Sequence, residues 1–170
     1  VAEFDLTTQR FKTLLQGNVD AIYFNEKLYI GKREEVFVYN ESTGNFDLYY
    51  HLAGKDITLS CLHLDEKKNL WMGTTSNGLY CLSGDKKISQ PVTRGNIASI
   101  YEDSSKELWI CTWEEGLYRI KTDGTIENFR HDPKNPNSIC ADFVRSCCED
   151  NAGNLWIGTF HGLSLIHISE

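Results

Sequence analysis

The chain has 170 residues and is acidic overall, with 24 acidic against 17 basic residues and a formal net charge of −7. No run of lysine or arginine exceeds two residues. The sequence therefore lacks the basic stripe with which proteins neutralise nucleic-acid phosphates, and we expect no nucleic-acid partner. No apolar stretch approaches the roughly 18 residues that a membrane-spanning helix requires.

The chain begins at Val1, without an initiator methionine or an apolar leader, so we expect any signal peptide to lie upstream. Residues 1–16 contain two short segments, 1–6 and 10–15, that read as β-strands. We interpret them as the third and fourth strands, C and D, of a preceding repeat unit. The next segment, 17–53, carries the first complete unit.

Four copies of a short aromatic pattern follow in chain order. It reads KLYIG at 27–31, NLWMGT at 69–74, ELWICT at 107–112 and NLWIGT at 154–159. Its aromatic residues are 42, 38 and 47 residues apart, and they are Tyr29, Trp71, Trp109 and Trp156. An aspartate stands six residues before each tryptophan, and these are Asp65, Asp103 and Asp150. A Gly-Leu pair follows each tryptophan-containing copy, so the pattern indicates a structural repeat of about 40 residues.

Each repeat divides into four short strands separated by turn residues. In the third unit we predict them at 97–101, 108–112, 117–120 and 125–131. In the first unit, the outer strand alternates Phe46, Leu48, Tyr50 and Leu52 with more polar residues, which predicts a half-buried edge strand. Four strands per period of about 40 residues are typical of a β-propeller.

We therefore predict an all-β, partial β-propeller with three complete four-stranded antiparallel blades and incomplete blades at both ends. The predicted bounds are 1–16 for strands C and D of a preceding blade, 17–53, 54–93 and 94–138 for the complete blades, and 139–162 for strands A and B of a truncated blade. Residues 163–170 resemble the translation of a sequencing-library adapter, and we interpret them as an artefact. The alternative is a genuine final strand.

The repeated residues are expected to be structural. Each tryptophan should pack against the next blade, and each aspartate should cap the turn of its own hairpin. Gly73 and Gly158 should allow close backbone approach beside the tryptophan, whereas Cys111 replaces glycine in the third unit.

Six cysteines occur without a C-x-x-C pair, and we expect most to be small buried side chains rather than zinc ligands. Cys147 and Cys148 are neighbours on a predicted strand, so they should point to opposite faces. No cofactor and no metal is predicted.

The aspartate, the Trp-(Ile/Met)-Gly-Thr core and the following Gly-Leu together resemble the two-component regulator propeller repeat. Residues 144–159 and 97–117 are very close to that consensus, and the loop 132–138 resembles its inter-blade connection. The resemblance covers about 17–162. It implies a ligand-sensing module in the periplasmic ectodomain of a hybrid sensor histidine kinase, itself non-catalytic, whose parent protein signals through a phosphorelay.

The same resemblance implies the partners. Oligosaccharide is the expected signal, with another small extracellular ligand as the alternative. The remainder of the sensor would lie in the parent chain, as the rest of the propeller, a β-sandwich, an inner-membrane helix and a kinase. The parent would be a homodimer.

One end of the propeller is the predicted ligand face. The B–C and D–A connections meet there, and loops on a rigid scaffold commonly carry function. Trp113 and Phe160 could stack on a sugar ring, with Glu114, Glu115 and His161 accepting hydrogen bonds from hydroxyl groups. The alternative is that both aromatic residues pack against the loop of a neighbouring blade. Arg145, on an A strand, could line the central channel or make an inter-blade hydrogen bond.

Two other functions remain open, because propellers serve several. One is a protein-binding scaffold. The other is a propeller lyase or oxidoreductase, which would need a converging acid–base or metal set. The five histidines lie at unmatched positions of the repeats, namely 51, 63, 131, 161 and 167.

Overall fold

The computed structural model describes residues 1–16, 19–54, 56–92, 95–160 and 162–167. Every regular element in these ranges is a β-strand. No helix in the part so described is long and apolar enough to cross a membrane.

The strands form one hairpin, three four-stranded sheets and one three-stranded sheet. The hairpin contains β1 (Ala2–Asp5) and β2 (Arg10–Thr13), and the first blade contains β3 (Ala21–Asn25), β4 (Lys27–Lys32), β5 (Glu35–Asn40) and β6 (Asn45–His51). The second blade contains β7 (Leu59–Leu64), β8 (Leu70–Thr74), β9 (Leu79–Leu82) and β10 (Ile88–Val92). The third contains β11 (Ile97–Glu102), β12 (Leu108–Thr112), β13 (Leu117–Ile120) and β14 (Ile126–Phe129), and the last sheet contains β15 (Val144–Glu149), β16 (Asn154–Thr159) and β17 (Gly162–His167).

Consecutive strands pair antiparallel in every sheet, so each sheet is a simple meander. The first strand of each blade packs against the first strand of the next, from β3 through β7 and β11 to β15. This arrangement places the A strands at the centre. The sheets do not close into a ring in the described residues. The prediction of a partial propeller with three complete blades is confirmed.

The sequence left open whether the residues after 162 form a final strand, and the structure contains such a strand, β17. It pairs with β16 along its whole length, from Gly162 opposite Thr159 to His167 opposite Asn154. In the structure, residues 162–167 therefore take the place of strand C. The origin of residues 163–170 stays a prediction.

Three apolar cores lie between successive blades, as the tryptophan pattern predicted. Trp71 of the second blade packs with Ile97 and Ile110 of the third. Trp109 of the third blade packs with Val144 and other residues of the last sheet, and only 1% of its surface is exposed. Burial of apolar surface between blades, rather than within one sheet, is what holds this fold together.

Each repeated aspartate binds the tryptophan of its own hairpin. Asp103 Oδ1 accepts a hydrogen bond from the backbone N–H of Glu107 at 2.9 Å, which is the predicted turn cap. Its Oδ2 accepts another from the indole Nε1 of Trp109 at 2.7 Å. The pairs Asp65–Trp71 and Asp150–Trp156 repeat this geometry at 2.9 and 2.8 Å. The aspartate therefore caps the turn and also fixes the tryptophan, a role that the sequence reading missed.

Gly73 and Gly158, which stand two residues after Trp71 and Trp156, leave room for side chains, not only for backbone as predicted. A Cβ atom at Gly73 would lie 2.8 Å from Cγ2 of Ile97 in the next blade. A Cβ atom at Gly158 would lie 3.3 Å from Ser146 Oγ, in its own sheet. Cys147 is buried and Cys148 is exposed, so the prediction that they face opposite ways is confirmed.

Candidate functional site

The turn from β12 to β13 carries three of the predicted site residues, and buried residues at its base fix its conformation. Thr112 is fully buried, and its hydroxyl donates to the Gly116 carbonyl at 2.7 Å and accepts from the Glu115 N–H at 2.9 Å. Gly116 has a φ of 78°, and a Cβ there would overlap the carbonyl oxygen of Phe129. The Thr and Gly of the repeat therefore fix this turn, and they present Trp113 and Glu114 at the end of the blade.

The connection from β14 to β15 is fastened onto the same turn. Asp142 Oδ2 accepts from Arg130 Nη2 at 2.9 Å, and Oδ1 accepts from the His131 N–H at 2.7 Å. Arg130 Nη2 also donates to the Glu114 carbonyl at 2.9 Å. Burial works against ionisation of Asp142, but these hydrogen bonds outweigh it and hold its pKa below the usual range. A long connection is thereby ordered over the site.

Three aromatic side chains lie side by side at this end of the propeller, and we call them the aromatic strip: Trp113, Phe143 and Phe160. Trp113 meets Phe143 edge-on with ring centroids 5.5 Å apart, and Phe143 lies 6.0 Å from Phe160 in a tilted arrangement. The guanidinium of Arg145 lies 6.0 Å from the Trp113 ring centre, at the outer limit of a cation–π contact. Phe160 is 68% exposed and Phe143 36% exposed. The strip is therefore a solvent-accessible apolar surface that spans two blades.

A polar cleft of about 310 Å³ lies next to the aromatic strip. It is lined by Thr75, Gly95, Asn96, Trp113, Glu114, Glu115 and Phe143. Glu115 Oε2 accepts a hydrogen bond from the Tyr118 hydroxyl at 2.9 Å, so its carboxylate has a defined position. Glu114 is exposed. An apolar wall beside a fixed carboxylate and an exposed one can bind a ligand that has both apolar faces and hydroxyl groups.

The structure brings together four of the five predicted ligand-face residues. Trp113, Glu114 and Glu115 follow β12, and Phe160 follows β16 at the same end. His161 lies outside the described residues. The packing alternative holds for Trp113, which contacts Phe143 of the next blade, whereas Phe160 contacts Phe143 within its own blade. Whether these residues bind a ligand stays a prediction.

Phe143 is the site residue that the sequence reading missed. It stands immediately before β15, and its carbonyl accepts from the Phe160 N–H at 3.0 Å. The corresponding bond in the preceding blade runs from the Trp113 N–H to the Asn96 carbonyl at 3.1 Å. The residue before each A strand is therefore tied to the residue after the B strand, and this repeat spacing could have pointed to Phe143.

Arg145 makes an inter-blade hydrogen bond, although through its backbone and not its side chain, and its predicted place in the central channel stays a prediction. Its guanidinium lies over Trp113, while its backbone carbonyl accepts an inter-blade hydrogen bond from Ser99 Oγ at 3.1 Å. The site therefore has a cation next to Trp113 and carboxylates in the adjoining cleft.

A larger cleft, of about 730 Å³, lies between the N-terminal hairpin and the first blade. Its lining includes Val1, Leu14, Ile22, Val38 and Asp47. A two-stranded sheet covers less of the neighbouring blade than a four-stranded one, and this accounts for the space. None of the predicted ligand-face residues lines it.

The three histidines whose side chains the structure describes lie apart, each with its own partner. His51 lies 3.8 Å from Glu35, His63 lies 3.3 Å from Glu102, and the His131 ring lies 2.8 Å from the Ile139 carbonyl. Within the ranges that the structure describes, no three His, Cys, Asp or Glu side chains gather so as to hold a metal ion.

Stacked four-stranded sheets with a loop-built face at one end define this chain as part of a β-propeller. The sequence profile of the two component regulator propeller family matches residues 92–114 and 138–161. The resemblance to that repeat is confirmed. No curated protein sequence matches the chain significantly.

Solved propellers similar to the chain include two extracellular domains from B. thetaiotaomicron, described as hybrid two component systems BT4673 and BT3049. The first has a TM-score of 0.79 and 23% identity over 96% of this chain and 24% of that chain. The second has a TM-score of 0.78 and 23% identity over 96% and 23%. Virginiamycin B lyase from Staphylococcus aureus, solved with quinupristin, has a TM-score of 0.65 and 16% identity over 88% and 55%. The chain thus spans about a quarter of either extracellular domain. At these sequence identities, the structural similarity shows a shared fold and nothing further.

Proposed function

We propose that this chain is part of the extracytoplasmic ligand-sensing propeller of a hybrid two component sensor histidine kinase, and that its ligand is an oligosaccharide. The observation that carries the proposal is the aromatic strip beside the cleft that Glu114 and Glu115 line. The matched repeat and the likeness to extracellular sensor domains support the sensor class.

The surface chemistry favours a carbohydrate over a purely apolar ligand. A sugar ring has an apolar face of C–H groups, which stacks on an aromatic ring, and a rim of hydroxyl groups, which donate to carboxylates. Trp113 and Phe160 supply aromatic rings on which the apolar face of a sugar can stack, and Glu115 supplies a carboxylate acceptor with a defined position. Arg145 adds a hydrogen-bond donor near the Trp113 ring, where a ligand oxygen can be bound.

The parent protein in this proposal is an inner-membrane sensor whose propeller faces the periplasm. The rest of the propeller, a β-sandwich, a membrane helix and a kinase would lie in the same parent chain, and the sensor would act as a homodimer through a phosphorelay. The present segment would bind ligand without catalysing a reaction. Sequencing the adjoining gene region tests this part, because a reading frame without a membrane helix and kinase would contradict it.

Binding is tested by titration calorimetry of the purified chain with a panel of plant and host oligosaccharides. We expect one class to bind, and Trp113→Ala to weaken that binding roughly tenfold, which corresponds to about 1.4 kcal/mol. Phe11→Ala is the matched control, because Phe11 is an exposed aromatic residue on β2, in the N-terminal hairpin.

Two results would contradict the proposal at different levels. Binding that Trp113→Ala and Phe160→Ala leave unchanged would place the ligand elsewhere on the propeller. An absence of binding across the panel, in a chain whose thermal unfolding is cooperative, would exclude oligosaccharide as the ligand of this segment.

A further inference from the structure

Two buried cysteines face each other across the interface between the third blade and the last sheet. The sulfur atoms of Cys111 on β12 and Cys147 on β15 are 3.6 Å apart. Cys111 is 0% exposed and Cys147 is 9% exposed. Both belong to the apolar core between these blades. The chain thus places two thiols from different sheets in direct contact.

The corresponding positions of the preceding interface have no such pair. The strand registers give Cys111 the position that Gly73 occupies in β8, and Cys147 the position that Ile100 occupies in β11. One interface therefore combines a glycine with a branched aliphatic residue, and the other combines two cysteines of intermediate size. The total side-chain volume is similar, so the exchange is compatible with close packing. What it adds is the capacity to form a covalent bond.

We propose that Cys111 and Cys147 are the site of a disulfide that links two blades, formed by an oxidant of the thiol–disulfide exchange class. A disulfide requires the sulfur atoms to approach to about 2.05 Å, so they must move closer by about 1.5 Å from the 3.6 Å of the reduced arrangement. Cys148 is not a competitor for this bond, because it lies on the opposite, exposed face of β15.

The reaction proceeds by two exchange steps. The Cys111 thiolate attacks one sulfur of the oxidant disulfide, which forms a mixed disulfide and releases one thiol. Cys147 then loses its proton and attacks the Cys111 sulfur, which forms the protein disulfide and releases the second thiol. The protein loses two electrons and two protons, and the oxidant gains both.

In the closed interface Cys111 is the more acidic of the two thiols. Its hydrogen bond with Cys147 lowers the pKa of Cys111 against the effect of burial. The same hydrogen bond and burial raise the pKa of Cys147. Because both sulfur atoms are enclosed by the closed interface, a protein oxidant must act before the blades close or during local opening. The finished disulfide is then shielded from reductants. This inference is independent of the ligand that the propeller binds.

The test uses the full 170-residue chain, reduced in denaturant and refolded in a mixture of oxidised and reduced glutathione. Free thiols are then alkylated, and the protein is examined by intact mass and by digestion under non-reducing conditions. We expect the refolded protein to carry four alkyl groups, against six on the fully reduced protein, and a cross-linked peptide to join residues from β12 and β15. The melting temperature of the oxidised form should exceed that of the reduced form by on the order of 5–10 °C.

Matched variants separate the covalent effect from packing. In Cys111→Ser and Cys147→Ala the melting temperature should no longer depend on oxidation, whereas Cys148→Ser should behave as the wild type. If either variant fails to fold, Cys111→Gly restores the residue found in the preceding blades. Refolded wild type with both Cys111 and Cys147 alkylated, or with a cross-link between other cysteines, would overturn the proposal.

Discussion

At the scale of single residues, the aspartate–tryptophan pair is the element of chemistry that each repeat reproduces. Asp103 is 2% exposed, yet its two carboxylate oxygens accept hydrogen bonds from a backbone N–H and from the indole of Trp109. A buried tryptophan needs a partner for its N–H group, and a carboxylate is a strong acceptor. The pair therefore orients the ring that fills the inter-blade core.

Removing this carboxylate should be costly. Asp103→Ala leaves the Trp109 indole and the Glu107 N–H without their acceptor, and we expect the free energy of unfolding to decrease by roughly 2–4 kcal/mol. Urea titration followed by tryptophan fluorescence measures the change.

The control is Asp123→Ala. Asp123 accepts only local turn hydrogen bonds, from Thr125, at an exposed site, and the variant should unfold close to the wild-type midpoint. Equal losses in the two variants would show that turn capping, not the bond to the indole, accounts for the effect.

The spacing of aspartate and tryptophan was visible in the sequence, but their contact was not. Turn capping is a local effect, so it could be predicted from residue type alone. The hydrogen bond from the indole to the aspartate depends on the backbone conformation of the hairpin turn. Lys106 in that turn has a φ of 66°. A backbone conformation that few residues adopt brings the carboxylate to the N–H edge of the ring, and a linear pattern does not specify it.

At the scale of strands, the A strands are joined by side-chain hydrogen bonds as well as by apolar packing. The Tyr23 hydroxyl donates to the Leu64 carbonyl at 3.1 Å, and Ser60 Oγ donates to the Ile97 carbonyl at 2.6 Å. His63 of β7 lies 3.3 Å from Glu102 of β11. Each inner strand is thus tied to the inner strand of the following blade.

His63 makes this junction sensitive to pH. Its side chain is 13% exposed, and burial lowers its pKa below the usual value against the opposite effect of Glu102. The unfolded chain therefore binds this proton more readily than the folded protein. The stabilisation is fully present above the unfolded pKa of about 6.5 and is lost as the pH falls through the lower folded pKa.

We expect the urea midpoint of the wild type to decrease between about pH 7.5 and pH 5.5 more steeply than that of His63→Tyr. Tyrosine is the residue at the corresponding position of the other complete blades, Tyr23 and Tyr101. Parallel pH profiles for the two proteins would exclude His63 as the source of the dependence.

Strand bounds followed well from the sequence, but burial along an outer strand did not. Alternation predicted that Leu48 of β6 would face the core, whereas it is 56% exposed. The pairing of β5 with β6 shifts register between Val36 and Phe37. An irregularity of this kind changes which side chains face inward, and turn and strand patterns do not specify where it falls.

At the scale of the whole molecule, the chain is a row of sheets, and each apolar core forms between two successive sheets. The blade count and the loop-built end followed from the repeat period, because a repeat can bury its apolar face only against the next repeat. The aromatic strip did not follow in full. Its members come from three connections, and Phe143 joins the other two only after the blades have stacked.

This dependence on neighbours can be measured with equivalent tryptophans. Trp109 is 1% exposed between two sheets, whereas Trp156 in the last sheet is only partly buried, although both make the same bond to aspartate. We expect Trp109→Ala to lower the free energy of unfolding by roughly 3–5 kcal/mol, and Trp156→Ala by about 1–2 kcal/mol, because less apolar surface is lost. Urea unfolding followed by far-ultraviolet circular dichroism compares the two without relying on the fluorescence of the mutated ring. Equal costs would mean that the tryptophan acts within its own hairpin, and that packing between blades contributes little at these positions.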